Sequence, residues 1–190
     1  TRVQAIGQRI AVAANQPNYK WEFNLVDDNQ ANAFCLPGGK VVVYTGILKY
    51  AKNDDQLATV ISHEVAHALA RHGAERVTQG MIQQGVGILG SVAVAATAPQ
   101  YQNAFNQAYG LGSNLGVMLP YGRMQESEAD EIGIYLMHKA GYNVNEATKF
   151  WENMSEGKSG GNDFFSTHPS SQNRTKDIQT VINKIGNEAK

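Results

Sequence analysis

This sequence predicts an α+β fold that is mainly helical, with one small β-sheet packed beside a central helix, and three observations predict it. Helical periodicity or helix-end signals run through residues 3–15, 53–77, 124–140, 145–154 and 173–185. Strand signals are confined to two stretches near the N-terminus, WEFNLVDD at 21–28 and NAFCLPGGKVVVYTGIL at 32–48. Residues 80–120 are broken by Gly85, Gly87, Gly90, Pro99, Gly110, Gly112, Gly116 and Pro120, which predicts short helices and loops of low local stability. At 190 residues the chain suffices for one well-buried domain, residues 1–190.

In chain order, Val3, Ile6, Ile10 and Val12 recur at near-helical spacing and predict a helix that stops before Pro17. Trp21, Phe23 and Leu25 then alternate with Glu22 and Asn24, the period of a half-buried strand that ends at Asp27, Asp28 and Asn29. Pro37, Gly38 and Gly39 make a turn into KVVVYTG, a β-branched strand, and together these strands make a small antiparallel sheet. Its edge falls on Val41, Val42, Val43 and Tyr44, which are expected to bind an extended peptide by strand addition. Asn53 and Gln56 stand at capping-box spacing, with Asp54 and Asp55 in the first turn of the 53–77 helix. A second strong helix runs from Met124 to Ala140, closed by Gly141. Asn145 caps a helix through Met154, SEGKSGGND is a loop, and Asn173 to Ile185 close the chain.

Charge and cysteine content exclude several functions. With 16 basic against 17 acidic residues, net charge −1, the chain lacks the basic footprint of nucleic-acid binding. The single cysteine, Cys35, can form no internal disulfide and reads as a small buried hydrophobe. The most membrane-like stretch, VGILGSVAVAATAP at 86–99, is shorter than the roughly 20 apolar residues of a spanning helix. It is expected to be a mobile or partner-facing apolar segment in a soluble chain. The opening TRVQAIGQRIAVAA has no secretory-signal pattern, and because a signal could have been removed the compartment stays open.

The chemistry begins at SHEVAHALARH, residues 62–72. Residues four apart on a helix project within about 40° of each other, so His63 and His67 can share one ion. Glu64 reaches the same side, which makes the H-E-x-x-H arrangement of zinc peptidases. A shuffled chain of this composition shows that pattern only about 0.7% of the time, so the motif is specific. His72 sits five residues beyond His67 and, if the helix runs on, about 140° away from it, which gives it a structural or surface role.

A catalytic zinc takes three protein ligands, so a third must come from elsewhere. MQESEADEIG offers Glu126, Glu128, Asp130 and Glu131. On a helical wheel Glu126 and Asp130 share the stripe of Ala129, Gly133, Leu136 and Met137, whereas Glu128 and Glu131 fall on the solvated side. A carboxylate on a core-facing stripe needs compensation. Zinc on Glu126 supplies it, and Asp130, one turn on, can accept the outer N–H of a ligand histidine. The plain alternative is a buried acid paired with Arg123 or Arg174. His168, held by Pro169 in FFSTHPSSQNR, is a supporting group behind the ligands, an oxyanion donor or a fourth ligand that blocks the water site, and the residues alone do not rank these.

HEVAH, then YGRMQESEAD, then T-H-P-x-x-x-x-x-R, preceded by NAFCLPGG, resembles the zinc metallopeptidases that include HtpX, BepA, LoiP and the CAAX prenyl proteases, over residues 31–174. The resemblance implies a zincin-like gluzincin domain binding one Zn²⁺ through His63, His67 and Glu126. Glu64 is then the general base, Asp130 stands behind a histidine, and His168 and Arg174 line the catalytic cleft. His168 is also implied as a zinc ligand in a resting state. Gly122 departs from the serine usual before the arginine, which leaves the local backbone open. The long hydrophobic spans of HtpX and the prenyl proteases are missing, which points to the periplasmic or lipoprotein-like branch and to envelope protein quality control. The implied activity is a zinc metalloendopeptidase acting on unfolded or misfolded polypeptides, with an envelope or membrane-associated partner. The alternative is a latent, chaperone-like module whose zinc is blocked by His168.

Overall fold

The computed structural model describes residues 1–36, 38–73, 75, 95–101, 120–157 and 164–188. Contacts group the chain into two units, Thr1–Gly73 with Pro120–Lys190, and Ala74–Leu119. Of the second unit, Glu75 and residues 95–101 are described, the latter ending in the 3-10 turn Pro99–Tyr101. Most of the glycine-broken region 80–120 and of the apolar stretch 86–99 therefore lies outside the described residues, as do Pro37 and residues 158–163 of the SEGKSGGND loop.

The first unit opens with α1 (Arg2–Ala14), whose N-terminus is capped by the Thr1 hydroxyl accepting from the Gln4 amide and whose end turns at Asn15, φ 50°. Three strands follow, β1 (Glu22–Val26), β2 (Ala33–Leu36) and β3 (Lys40–Tyr44), in the spatial order β1-β3-β2. The tight turn between β2 and β3, with Gly38 and Gly39 at φ 92° and 104°, makes that pair antiparallel. β1 joins the opposite side of β3 and runs parallel to it, Phe23 facing Val41 and Leu25 facing Val43. The sheet is thus mixed rather than antiparallel. It also corrects the peptide-binding assignment of Val41, Val42, Val43 and Tyr44: β3 is the central strand, paired on both sides, and its backbone groups are committed to the ladder. Its β-branched run fits a central strand, with Val41 and Val43 fully buried between Phe23, Ala33 and Cys35.

Helix α2 (Asp54–Leu69) starts at Asn53, whose side chain accepts from the Gln56 amide at 2.9 Å. From Gln56 to Ala68 every residue is buried, so this helix is enclosed on all sides rather than amphipathic. It ends at Leu69, short of the expected Val77, because Ala70 caps it and Arg71 takes φ 60°. That left-handed residue turns the following chain out of the helical path.

Helix α3 (Arg123–Lys139) packs along α2 at close range. The contact depends on Gly133, where an added Cβ would stand 3.3 Å from the His63 backbone nitrogen. Gly122 precedes the helix, and its amide donates to Gln125 Oε1 at 3.1 Å. α4 (Glu146–Glu156), the short α5 (Phe164–Thr167) and α6 (Arg174–Glu188) complete the enclosure. Glu146 joins the starts of α4 and α2 by accepting from Asn53 Nδ2 at 3.0 Å and Gln56 Nε2 at 2.8 Å. Trp151 of α4 and Phe164 of α5 bring the aromatic wall of the core against His63.

Candidate metal centre

An enclosed helix with two histidines and a glutamate in its middle must satisfy three buried polar side chains at once. His63, Glu64 and His67 are each 1% exposed or less. α3 answers them with Glu126, 3% exposed, and the loop after α5 answers with His168, 1% exposed. Nitrogen or oxygen atoms of His63, His67, Glu126 and His168 all lie within 4.8 Å of one another. His67 Nε2 is 3.1 Å from His63 Nε2 and 2.9 Å from Glu126 Oε1, and His63 Nε2 is 3.3 Å from Glu126 Oε2. His168 Nδ1 stands 3.0 Å from Glu126 Oε1 and 3.4 Å from His63 Nε2.

These separations suit a cation. Tetrahedral zinc with bonds near 2.0–2.1 Å holds its ligand atoms about 3.3 Å apart, close to the spacings found here. Charge gives a second test. Glu64, Glu126 and Asp130 carry three formal negative charges against the single guanidinium of Arg174, so the buried site is two charges short of neutrality. A divalent ion makes up that difference. The outer nitrogens pass a third test. His63 Nδ1 lies 2.9 Å from Asp130 Oδ1, and His67 Nδ1 lies 3.0 Å from His72 Nδ1, so each ring is held from behind. The donor set fits zinc.

The electrostatics show the same shortage. Burial works against a charge on His63, yet Glu126 and Asp130 raise its pKa to about 9. Burial drives His67 well below its ordinary value, and the charge of His63 lowers it further. For Glu126 burial favours the neutral acid, but His63, His168 and His67 hold the carboxyl well below its usual range. A proton on His63 is what a cation displaces.

Two sequence assignments change on the structure. Arg174 was expected in the cleft. It is instead 5% exposed, donates from Nε and Nη2 to both Asp130 oxygens at 2.8 Å and from Nη2 to Glu126 Oε2 at 3.0 Å, and lies 3.6 Å over the Trp151 ring. It holds the two carboxylates in place, the pairing the sequence offered as the plain alternative for a buried acid. His72 was turned away from the metal on the assumption that the helix continued. The turn at Arg71 instead buries it to 2% exposure, against His67 and within 2.9 Å of Glu128 Oε2. Sequence reasoning also left Tyr121 unassigned, although it begins YGRMQESEAD. Its ring stacks on His67 at 3.8 Å and fixes the plane of that imidazole. Asp130 stands behind His63, and Glu64, fully buried beside His67 on α2, has His168 Nε2 3.4 Å from its Oε1.

The chain is 38% identical over 180 residues to the mitochondrial metalloendopeptidase OMA1 of Schizosaccharomyces pombe, covering 93% of this chain and 51% of that protein. It is 40% identical over 169 residues to the OMA1 metalloendopeptidase of Arabidopsis thaliana, covering 87% of this chain and 32% of that one. With the β-barrel assembly-enhancing protease of Escherichia coli K12 it shares 29% identity over 189 residues, 96% of this chain and 39% of that protein. The chain therefore spans about half or less of the length of these relatives. The family description Peptidase family M48 matches residues 1–182, a span that contains every residue of the metal centre, and the chain belongs to that family.

Proposed function

We propose that this chain is a zinc-dependent endopeptidase that cleaves unfolded or extended polypeptides. One observation carries the reading: His63, His67 and Glu126 converge donor atoms at ligand spacing while Glu64, on the same helix, is buried beside them. Zinc held there supplies Lewis acidity, bringing water's acidity toward neutral pH and polarising a peptide carbonyl. The protein's residues do the rest. Glu64 takes the proton of the attacking water and returns it to the departing amine. Asp130 stands behind His63, and Arg174 keeps Asp130 and Glu126 aligned.

An extended substrate is expected to add to the sheet at β2, because among the described residues β2 is an edge strand and packs against α2. Only an unfolded segment can offer a free strand, which is why unfolded chains are the proposed substrates. A role in bacterial envelope quality control, with a membrane-associated partner, belongs to the same proposal. Its support is the likeness to the β-barrel assembly-enhancing protease, while the OMA1 relatives are named mitochondrial. Among the described residues no helix is long and apolar enough to cross a membrane.

The test is Glu64→Gln. The amide keeps the shape of the side chain but cannot act as a base, so casein hydrolysis should fall by about 10²–10⁴-fold. Zinc content by elemental analysis should stay at one per chain. Unchanged hydrolysis in that variant rules the mechanism out.

A second reading rests on His168. Its Nδ1 already stands among the ligand atoms and its Nε2 faces Glu64, the arrangement of a fourth ligand that occupies the water position. In that reading the centre is latent, and the chain acts mainly as a binding or chaperone-like module until His168 moves.

A further inference from the structure

We infer that His72 and Glu128 are positioning residues for His67, fixing its proton on Nδ1 so that Nε2 presents a lone pair to the metal; this rests on the zinc reading above. The helical path makes both residues bystanders, since Glu128 lies on the exposed side of α3 and His72 lies beyond α2. The left-handed turn at Arg71 brings them together.

The argument is one of hydrogen-bond direction. His67 Nδ1 and His72 Nδ1 stand 3.0 Å apart, and only one of them can carry the shared proton. By themselves two neutral imidazoles could settle this either way. Glu128 removes the choice. Its ionised carboxylate accepts only, and it lies 2.9 Å from His72 Nε2, so His72 carries its hydrogen on Nε2. His72 Nδ1 then offers a lone pair, and His67 must donate to it from Nδ1. A neutral His67 protonated there has its lone pair on Nε2, the atom 2.9 Å from Glu126 Oε1. In the reverse arrangement, the His72 Nε2 lone pair would face the carboxylate oxygens, and the hydrogen on His67 Nε2 would prevent ligation. The chain Glu128, His72, His67 therefore selects the one tautomer that can bind zinc, as Asp130 does directly for His63. Because Glu128 is 56% exposed and His72 only 2%, the ring contributes more than the carboxylate.

The experiment measures zinc dissociation constants of the chelator-stripped full chain by competition with a chromogenic chelator, with circular dichroism confirming that each apo-variant is folded. His72→Leu, which removes the acceptor, should weaken zinc binding about 10–100-fold. His72→Asn, whose Oδ1 stands where Nδ1 did, should stay within about threefold of wild type. Glu128→Ala, an exposed change that leaves the core intact, should weaken binding by about two- to tenfold. Nitrogen-15 NMR of the chelator-stripped, folded wild type should show His67 protonated at Nδ1. If His72→Leu fails to fold, the tautomer and Glu128→Ala decide. Wild-type affinity in the leucine variant, or a proton on His67 Nε2, overturns the relay alone. A wild-type chain that binds no zinc overturns the relay and the zinc reading together.

Discussion

At His168 the two functional readings diverge most. A histidine stacked on Phe164 at 4.1 Å, with one nitrogen among the ligands and the other toward Glu64, is placed to close the centre rather than to assist from its rim. His168→Ala should therefore raise casein hydrolysis by about tenfold, the gain expected if the blocked arrangement holds about nine molecules in ten. A drop in kcat instead assigns His168 to the transition state. Other residues of the centre differ in how far the sequence disclosed them. Glu126 was legible because one angular rule put it on the core-facing stripe of its helix. Arg174 was legible only as one of two candidate partners, with Arg123, for a buried acid, since nothing in T-H-P-x-x-x-x-x-R says how far or to which side a long side chain will reach.

Helices are the elements the sequence drew best, because periodicity and end signals are local. α1, α3, α4 and α6 begin and end within three residues of their expected limits. α2 was drawn too long because Arg71, whose positive φ ends it, has no sequence mark such as glycine or asparagine. Strand order was also hidden, since a β-branched run announces a strand but not whether its neighbours lie on one side or both. Between elements, the decisive contact is Gly133 of α3 against the backbone of His63. Gly133→Val should force the two helices apart, lowering stability by about 1–3 kcal/mol in urea titrations and weakening zinc binding through His63. An unchanged midpoint contradicts this account of the helix contact.

Across the whole molecule, a chain with net charge −1 buries a site whose carboxylates outnumber its guanidinium by two. Such a core is stable only with something to neutralise it, so metal binding and folding share one free energy. Chelation should lower the calorimetric Tm by about 10 °C, corresponding to about 4 kcal/mol when free zinc exceeds its Kd a thousandfold. Added zinc should restore the transition, and a Tm indifferent to chelator means that metal contributes nothing to the fold. By itself the sequence determined the helical α+β class, the pairing of His63 with His67 and the candidacy of Glu126 and Asp130. The class follows from local periodicity, and the two site readings follow from spacing along a single helix, where geometry is fixed by the backbone. Tertiary structure alone decided that β3 is central, that Arg174 rather than Arg123 pairs with both Glu126 and Asp130, and that His72 joins His67 to Glu128. Those relations depend on where separate elements meet, and a chain turn as short as one left-handed residue is enough to change them.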